Sequence, residues 1–242
     1  MSTSKSISIV IPVRNEAGYI AAQLQRLQAY RSRGHELIVI DGGSLDDTVQ
    51  LTTGLVDSCE SCESGESGES GRSRQMNQGA ASARGDVLLF LHADTELPED
   101  ADGLIIEALA EQGSRWGWFD VRLSNSGLPY RMVGGMMNLR SRLTSVCTGD
   151  QALFVERALF EELGGFPALE LMEDIALSKA LRRATKAEAR PARPDGVAVT
   201  SSRRWEQNGL LTTILLMWKL RLLYFFGMKP SNLVRMYYPR HD

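Results

Sequence analysis

A chain of 242 residues is long enough to bury the core of one α/β domain, and a formal net charge of −3 does not favour an extended nucleic-acid footprint. Three cysteines, an odd number, and no secretory pattern at the N-terminus predict a reducing, cytoplasmic setting without a disulfide framework. The charge is uneven, since residues 182–242 carry 12 Lys/Arg against 4 Asp/Glu. We therefore expect this quarter of the chain to meet anions such as nucleotide phosphates or lipid headgroups.

Two apolar runs near the N-terminus predict buried strands that end in polar residues. The first, residues 7–13, is followed by Arg14-Asn15-Glu16 and by a helical pattern over about 17–30. The second, residues 36–40, leads into Asp41-Gly42-Gly43-Ser44, where the glycines allow a tight turn. Two such units in succession predict a parallel sheet whose polar strand ends share one edge.

Residues 57–71 are acidic and of low complexity, and they lack an apolar face, so we expect a mobile loop. Cys59 and Cys62 have the spacing of metal ligands, but no second pair follows, and a zinc site is disfavoured. Arg72 and Arg74 then open a helix, where they either clamp a diphosphate or remain solvated.

The stretch Phe90-Leu91-His92-Ala93-Asp94-Thr95 ends a third apolar run and places polar groups at the same predicted edge. A carboxylate there suits Mg²⁺ or Mn²⁺, which take one or two protein carboxylates and fill their other positions with water and substrate phosphates. The alternative is that Asp94 caps a helix over about 99–112. This stretch alone leaves both interpretations open.

The remaining patterns predict a strand over 116–123, a Met-rich helix over 128–146 and a helix opened by Glu173-Asp174. Segment 210–226 is apolar but carries Lys219 and Arg221 near its middle, so it is marginal as a membrane span. Two alternatives are equally favoured: an interfacial helix on anionic lipid, and a helix packed against the sheet. The first predicts a peripheral contact with the inner face of the membrane.

Six segments, taken in chain order, resemble family 2 glycosyltransferases of the GT-A fold. They are Ile11-Pro12-Val13-Arg14-Asn15-Glu16, Asp41-Gly42-Gly43-Ser44-Leu45-Asp46-Asp47-Thr48, His92-Ala93-Asp94, Gly149-Asp150-Gln151, Glu173-Asp174 and Arg203-Arg204-Trp205. The wording His92-Ala93-Asp94-Thr95 and Met172-Glu173-Asp174 resembles most the bacterial arsenosugar-biosynthesis branch. The resemblance implies an α/β, Rossmann-like GT-A domain with a mostly parallel sheet and flanking helices over 1–207, followed by an apolar, amphipathic C-terminal helix and tail over 208–242.

The same resemblance implies a role for each matching residue. Those expected at the nucleotide and donor are Pro12, Asn15, Glu16, Asp41, His92, Arg203 and Arg204, with Arg72 and Arg74 close to the diphosphate. Asp94 is expected to hold Mg²⁺ or Mn²⁺, and Asp174 to act as general base beside Glu173. Those expected on the acceptor side are Asp150, Gln151 and Trp205. The chain departs from the family where Gly42 and His92 replace Asp and where Met76 replaces Arg, which puts metal affinity and nucleotide choice in question.

The implied activity is transfer of a sugar from a nucleotide-sugar to an acceptor hydroxyl, small or lipid-linked, by one inverting displacement. A carboxylate base activates the hydroxyl, while the metal and arginines stabilise the leaving diphosphate. One alternative is a non-catalytic nucleotide-binding scaffold of the same fold. Another is a sugar nucleotidyltransferase, which should have a glycine-rich phosphate loop where this chain has Pro-Val-Arg-Asn-Glu.

Overall fold

The computed structural model describes residues 5–62 and 71–237. Its strands are β1 (Ile7–Val13), β2 (Glu36–Asp41), β3 (Ser58–Ser61), β4 (Val87–Phe90), β5 (Thr95–Glu96), β6 (Trp116–Gly117), β7 (Asp120–Leu123), β8 (Phe154–Glu156) and β9 (Val197–Thr200). Its helices are α1 (Ile20–Ser32), α2 (Arg72–Ser82), α3 (Ala101–Glu111), α4 (Leu128–Thr144), α5 (Arg157–Glu162), α6 (Glu173–Ala184), α7 (Arg203–Asn208), α8 (Leu210–Phe225) and α9 (Pro230–Tyr237).

The main sheet has six strands in the order β3-β2-β1-β4-β8-β6. The first four are parallel, whereas β8 runs antiparallel to both β4 and β6. All seven residues of β1 are buried, as expected for a central strand covered on both faces. The predicted α/β architecture with a mostly parallel sheet and flanking helices is confirmed.

Two hydrophobic clusters cover the two faces of this sheet. Alternate residues of β1 divide between them, with Ile9 and Ile11 in the cluster that includes α1 and α3, and Val10 in the cluster that includes α2 and α6. Helix α2 sits close to the sheet because Gly79 lacks a side chain. A Cβ added there would lie 2.5 Å from Val10 Cγ1 and 3.0 Å from Ile40 Cγ1.

A second sheet has the order β5-β9-β7, and its strand β5 follows β4 directly in the chain. It corrects the prediction of one continuous strand over 116–123, since β6 joins the main sheet and β7 joins the second. Trp118 and Phe119 lie between them, and they pack into the two opposite hydrophobic clusters. The crossover is made by buried aromatic residues, so no turn residue announces it in the sequence.

The predicted loop over 57–71 is wrong for its first part. Ser58–Ser61 form β3, which pairs in parallel with β2, with Cys59 opposite Val39. The remainder, 63–70, lies outside the described residues. Cys59 and Cys62 are free, as is Cys147. Throughout residues 5–62 and 71–237, no three His, Cys, Asp or Glu side chains cluster as a ready metal cage.

Helix α8 packs on the domain through one face, where Leu220 joins Met172, Ile175 and Leu233 in a small third cluster. It is too short and insufficiently apolar to span a bilayer, as are the other helices that the structure describes. The partners of Leu220 lie at the start of α6 and in α9, so the expected packing against the sheet is not what the structure shows. The opposite face of α8 is exposed, and the contact with lipid stays a prediction.

Candidate active site

The carboxyl ends of β1 and β2 are tied together by Asn15, which has a left-handed backbone with φ of 55°. Its N–H donates to Ser44 Oγ at 2.9 Å, and its Oδ1 accepts from Leu45 N at 2.8 Å. Asparagine tolerates this conformation better than most residues do. Pro12 is buried in β1 beyond the last residue paired with β4, so its missing N–H leaves no gap in that ladder.

Asp41 organises the turn after β2. Its carboxylate accepts hydrogen bonds from Gly43 N at 3.1 Å and from Ser44 Oγ at 2.5 Å. The departure at Gly42 has a physical reason, because a Cβ there would lie 2.8 Å from Gln75 Nε2. That amide donates hydrogen bonds to Val13 O and Ile40 O, at 2.9 and 2.8 Å, so it could not move away without breaking them. Gln75 is a positioning residue that the sequence did not reveal.

Asp94 lies in a turn after β4 and is half-buried. Helix α3 begins at Ala101 with Asp100 at its cap, so the alternative that Asp94 caps this helix is wrong. Among the described residues, its carboxylate has no hydrogen-bond or ion-pair partner. Burial raises the pKa of nearby Glu16; Arg203 opposes this shift and the charge of Asp94 adds to it.

This negative charge fits a divalent cation. Glu16 Oε2 is buried and accepts no hydrogen bond within the described part of the chain, while Arg203 Nη2 lies 3.5 Å away. One uncommitted carboxylate with a second close by matches the way Mg²⁺ and Mn²⁺ bind, with water and substrate phosphates completing the shell. Asp94 is therefore available to hold such a cation.

His92 follows β4 and contacts the loop before β8. Its Nδ1 lies 3.3 Å from Asp150 Oδ1. Burial would raise the pKa of Asp150, but hydrogen bonding and charge from His92, together with Arg72 and Arg204, outweigh it and hold that pKa below its usual range. A Cβ on Gly149 would lie 2.3 Å from His92 Nε2, so the ring packs directly on this glycine.

The adjacent carboxylates at the start of α6 have different surroundings. Asp174 Oδ2 accepts from Gly149 N at 2.9 Å, and its Oδ1 accepts from Ile175 N at 2.7 Å. Glu173 is only 6% exposed. Burial, and then the charge of Asp174, raise the pKa of Glu173 to about 7. Glu173 therefore exchanges its proton near neutral pH.

This shift makes stability depend on pH. The folded pKa of Glu173 exceeds its ordinary value of 4.5, so its stabilising effect is complete below about pH 4.5 and is lost as the pH rises through about 7. Glu173→Gln should remove this loss and raise the free energy of unfolding at pH 8 by about 2–3 kcal/mol. Urea unfolding at pH 5 and pH 8 measures it, with exposed Glu107→Gln as control; equal pH dependence in both variants would contradict it.

The arginines expected at the donor contact different groups of the site. Arg203 lies over the Tyr19 ring and beside Glu16, whereas Arg204 stacks on Tyr237 and its charge acts on Asp150. Arg72, at the first turn of α2, acts electrostatically on Glu16, Asp150 and Glu173. Arg74 is exposed, and the group it influences is the Cys62 thiol rather than these carboxylates. Trp205 is half-buried on α7.

Gln151 is completely buried and forms a capping box with Thr148, so it shapes the loop before β8. Beside it lies Arg140, which the sequence analysis did not select. Burial lowers the pKa of Arg140 to about 10, and the charge of Arg221 adds to this. Neither arginine belongs to a motif, and α4 and α8 are far apart in sequence. Their proximity therefore emerges only from the fold.

Comparisons with known proteins identify the family of the chain. Residues 8–160 match the model of the family described as Glycosyl transferase family 2. A glycosyltransferase of Mycobacterium tuberculosis (strain CDC 1551 / Oshkosh) is 34% identical over 175 residues, 69% of this chain and 64% of that protein. The undecaprenyl-phosphate 4-deoxy-4-formamido-L-arabinose transferase of Aeromonas hydrophila is 32% identical over 114 residues, 45% of this chain and 35% of that protein.

A solved structure shares the fold. A mannosyltransferase from Pyrobaculum calidifontis, in complex with GDP-Man and Mn²⁺, superimposes with a TM-score of 0.61 at 21% identity, over 82% of this chain and 57% of that chain. The matches span less than two thirds of each of these proteins. The arsenosugar branch stays a prediction. The family model covers more than half of the sequence, and the chain belongs to family 2 of the glycosyltransferases.

Proposed function

We propose that the chain transfers a sugar from a nucleotide-sugar to an acceptor hydroxyl by one inverting displacement. The observation that carries this proposal is the grouping of three carboxylates around the His92–Asp150 contact: Asp94, which has no partner among the described residues, buried Glu173 and half-buried Asp174. Asp94 suits a metal-bound diphosphate, and the adjacent pair suits removal of a proton from the acceptor.

The donor is placed at the ends of β1, β2 and β4. Pro12, Asn15, Glu16 and Asp41 line the nucleoside side in this proposal, and Arg203 supplies positive charge there. A bound Mg²⁺ or Mn²⁺ neutralises charge on the leaving diphosphate. The Pyrobaculum mannosyltransferase, solved with GDP-Man and Mn²⁺, supports this choice of donor class and metal.

Asp174 acts on the acceptor in this scheme. Its two backbone hydrogen bonds fix the carboxylate, and each oxygen retains a lone pair for the hydroxyl proton. The acceptor oxygen attacks the anomeric carbon as the bond to the diphosphate breaks, and the nucleoside diphosphate leaves with that electron pair. The Aeromonas relative's name includes undecaprenyl phosphate, which supports a lipid-linked acceptor among the two classes considered.

A thermal-shift panel tests the donor half of the proposal. UDP or GDP should raise the melting temperature by about 5–10 °C at roughly 100-fold above Kd, and only when Mn²⁺ is present. The reason is that a ligand bound only by the folded state stabilises it. Nucleotide-sugars then serve as substrates, and metal-dependent release of nucleoside diphosphate separates an enzyme from a non-catalytic scaffold. A panel in which no nucleotide shifts the melting temperature would oppose the proposal.

A further inference from the structure

Helices α4 and α8 each present an exposed apolar stripe. The members of each stripe recur three or four positions apart and are each 47–76% exposed. They are Leu128, Met132, Met136, Leu139 and Leu143 on α4, and Leu211, Leu215, Trp218, Leu222 and Phe225 on α8. Phe226, directly after α8, is also exposed. This spacing places each set along one side of its helix. Apolar surface of this kind marks an interaction site rather than ordinary solvent-facing surface.

Basic residues flank these stripes. At 100° per residue, Arg140 and Arg221 lie roughly 80° around their helices from the stripe centres, and Lys219 lies on the other flank of α8. This is the arrangement of a helix that rests in a bilayer interface, where long basic side chains reach lipid phosphates. The helices therefore combine an apolar surface with cations at its border.

Within the part of the chain that the structure describes, neither Arg140 nor Arg221 pairs with a carboxylate. No Asp or Glu of the described residues lies within ion-pair distance of either guanidinium, although Asp174 and Asp150 act on both from farther away. Burial lowers the pKa of both groups, and for Arg140 the charge of Arg221 contributes further. Two desolvated cations, one of which lowers the pKa of the other, favour a nearby anion.

Gln151 supplies an independent indication. Its Oε1 accepts from Ser141 Oγ at 2.6 Å and from Thr148 N at 3.2 Å, which fixes the orientation of the amide. Its Nε2 is then buried without an acceptor in the described structure, and so is Arg140 Nε. Arg140 Nη2 lies 3.4 Å from Gln151 Oε1, so the two unsatisfied donors belong to neighbouring side chains. Buried donors of this kind require an oxygen acceptor.

Resting on the proposed transfer, we propose that the acceptor is a membrane lipid with a phosphate in its headgroup. Arg140, Arg221 and Gln151 Nε2 bind that phosphate, while the stripes of α4 and α8 lie in the bilayer interface. The headgroup hydroxyl then faces Asp174. A soluble phosphorylated acceptor leaves both stripes uncovered, and a neutral lipid leaves the arginines without a counter-charge. A lipid phosphate satisfies both features together.

Flotation with vesicles tests this inference on the full chain. The protein should bind phosphatidylcholine vesicles that contain phosphatidylglycerol more tightly than vesicles of phosphatidylcholine alone. Lys219→Gln removes one exposed charge from the same helix and should lower the affinity by about fivefold at most. Arg221→Gln removes a charge that also donates to the phosphate, and should lower it by more than about tenfold. If both variants lose the same affinity for the vesicles, the effect is general electrostatic attraction to the membrane, and the proposed phosphate subsite is overturned.

The apolar contribution has its own variant. Leu139→Gln combined with Leu215→Gln changes one residue of each stripe and should abolish flotation, whereas Leu45→Gln, which alters an exposed leucine outside both stripes, should not. Inorganic phosphate serves as the soluble probe. If it raises the melting temperature of the wild type but not of Arg221→Gln, and no vesicles bind, the acceptor is soluble and the lipid assignment fails.

Calorimetry of UDP with Mn²⁺ on the same preparations separates this inference from the proposed transfer. A protein that binds UDP but no anionic vesicle retains the proposed donor site and loses the lipid acceptor. A protein that binds vesicles through Arg221 but no nucleotide loses the proposed transfer instead.

Discussion

Asp174→Asn should lower the rate of sugar transfer by about 10²–10⁴ while leaving donor affinity within about twofold of the wild type. The amide retains an oxygen that can accept from Gly149 N, so the loop before β8 keeps an anchor. It cannot take a proton from the acceptor hydroxyl. The measurement is single-turnover transfer at saturating donor and Mn²⁺.

Glu173→Gln and Asp150→Asn are the matched controls, because each replaces a carboxylate of the same site by its amide. Glu173 titrates near neutral pH and adds charge beside Asp174. Ionised Glu173 adds negative charge beside the reacting hydroxyl and favours loss of its proton, so we expect the wild-type rate to rise as the pH passes through about 7. Glu173→Gln should flatten this rise without removing transfer. If Asp174→Asn retains near-wild-type turnover while one control variant loses it, the carboxylate changed in that control is the general base, and Asp174 is not.

Asp94→Asn should abolish the dependence of nucleotide binding on Mn²⁺. Loss of an outer-sphere partner alone weakens metal binding by about 10–100-fold, and loss of the carboxylate ligand should cost at least as much. Calorimetry of UDP with and without Mn²⁺ measures this directly. Asp47→Asn is the control, since it removes an exposed carboxylate near the same edge of the sheet. Equal metal dependence in Asp94→Asn and wild type would rule out Asp94 as the ligand.

Much of the fold is predictable because the central strands are short, mainly apolar runs that end in polar residues. Val10 and its neighbours are stable only where both faces of their strand are covered, as in a buried parallel sheet. Strand β3 escaped prediction because its acidic, Ser-rich sequence has no strand propensity, and pairing with β2 makes it a strand. The division between β6 and β7 was not predicted, because the residues that connect them, Trp118 and Phe119, are buried aromatics and not turn residues.

The candidate site was predictable to the extent that its residues lie in motifs. Asp94, Glu173 and Asp174 fall in segments that resemble a family, and the fold brings their helices and loops together. Gln75 and Arg140 act through partners distant in sequence, and nothing in their own surroundings distinguishes them from ordinary helix residues. Recognition of such residues requires the tertiary contacts themselves.

The close packing of α2 on the sheet has a consequence for directed evolution. Arg72 begins the helix and Gly79 touches the sheet, so the depth of contact at position 79 sets how far the guanidinium extends toward the carboxylates. A bulkier residue there would tilt or lift the whole helix as a lever does. A change at position 79 would thus disturb the proposed site without touching any substrate, and libraries that vary the residues lining that site should hold this glycine constant.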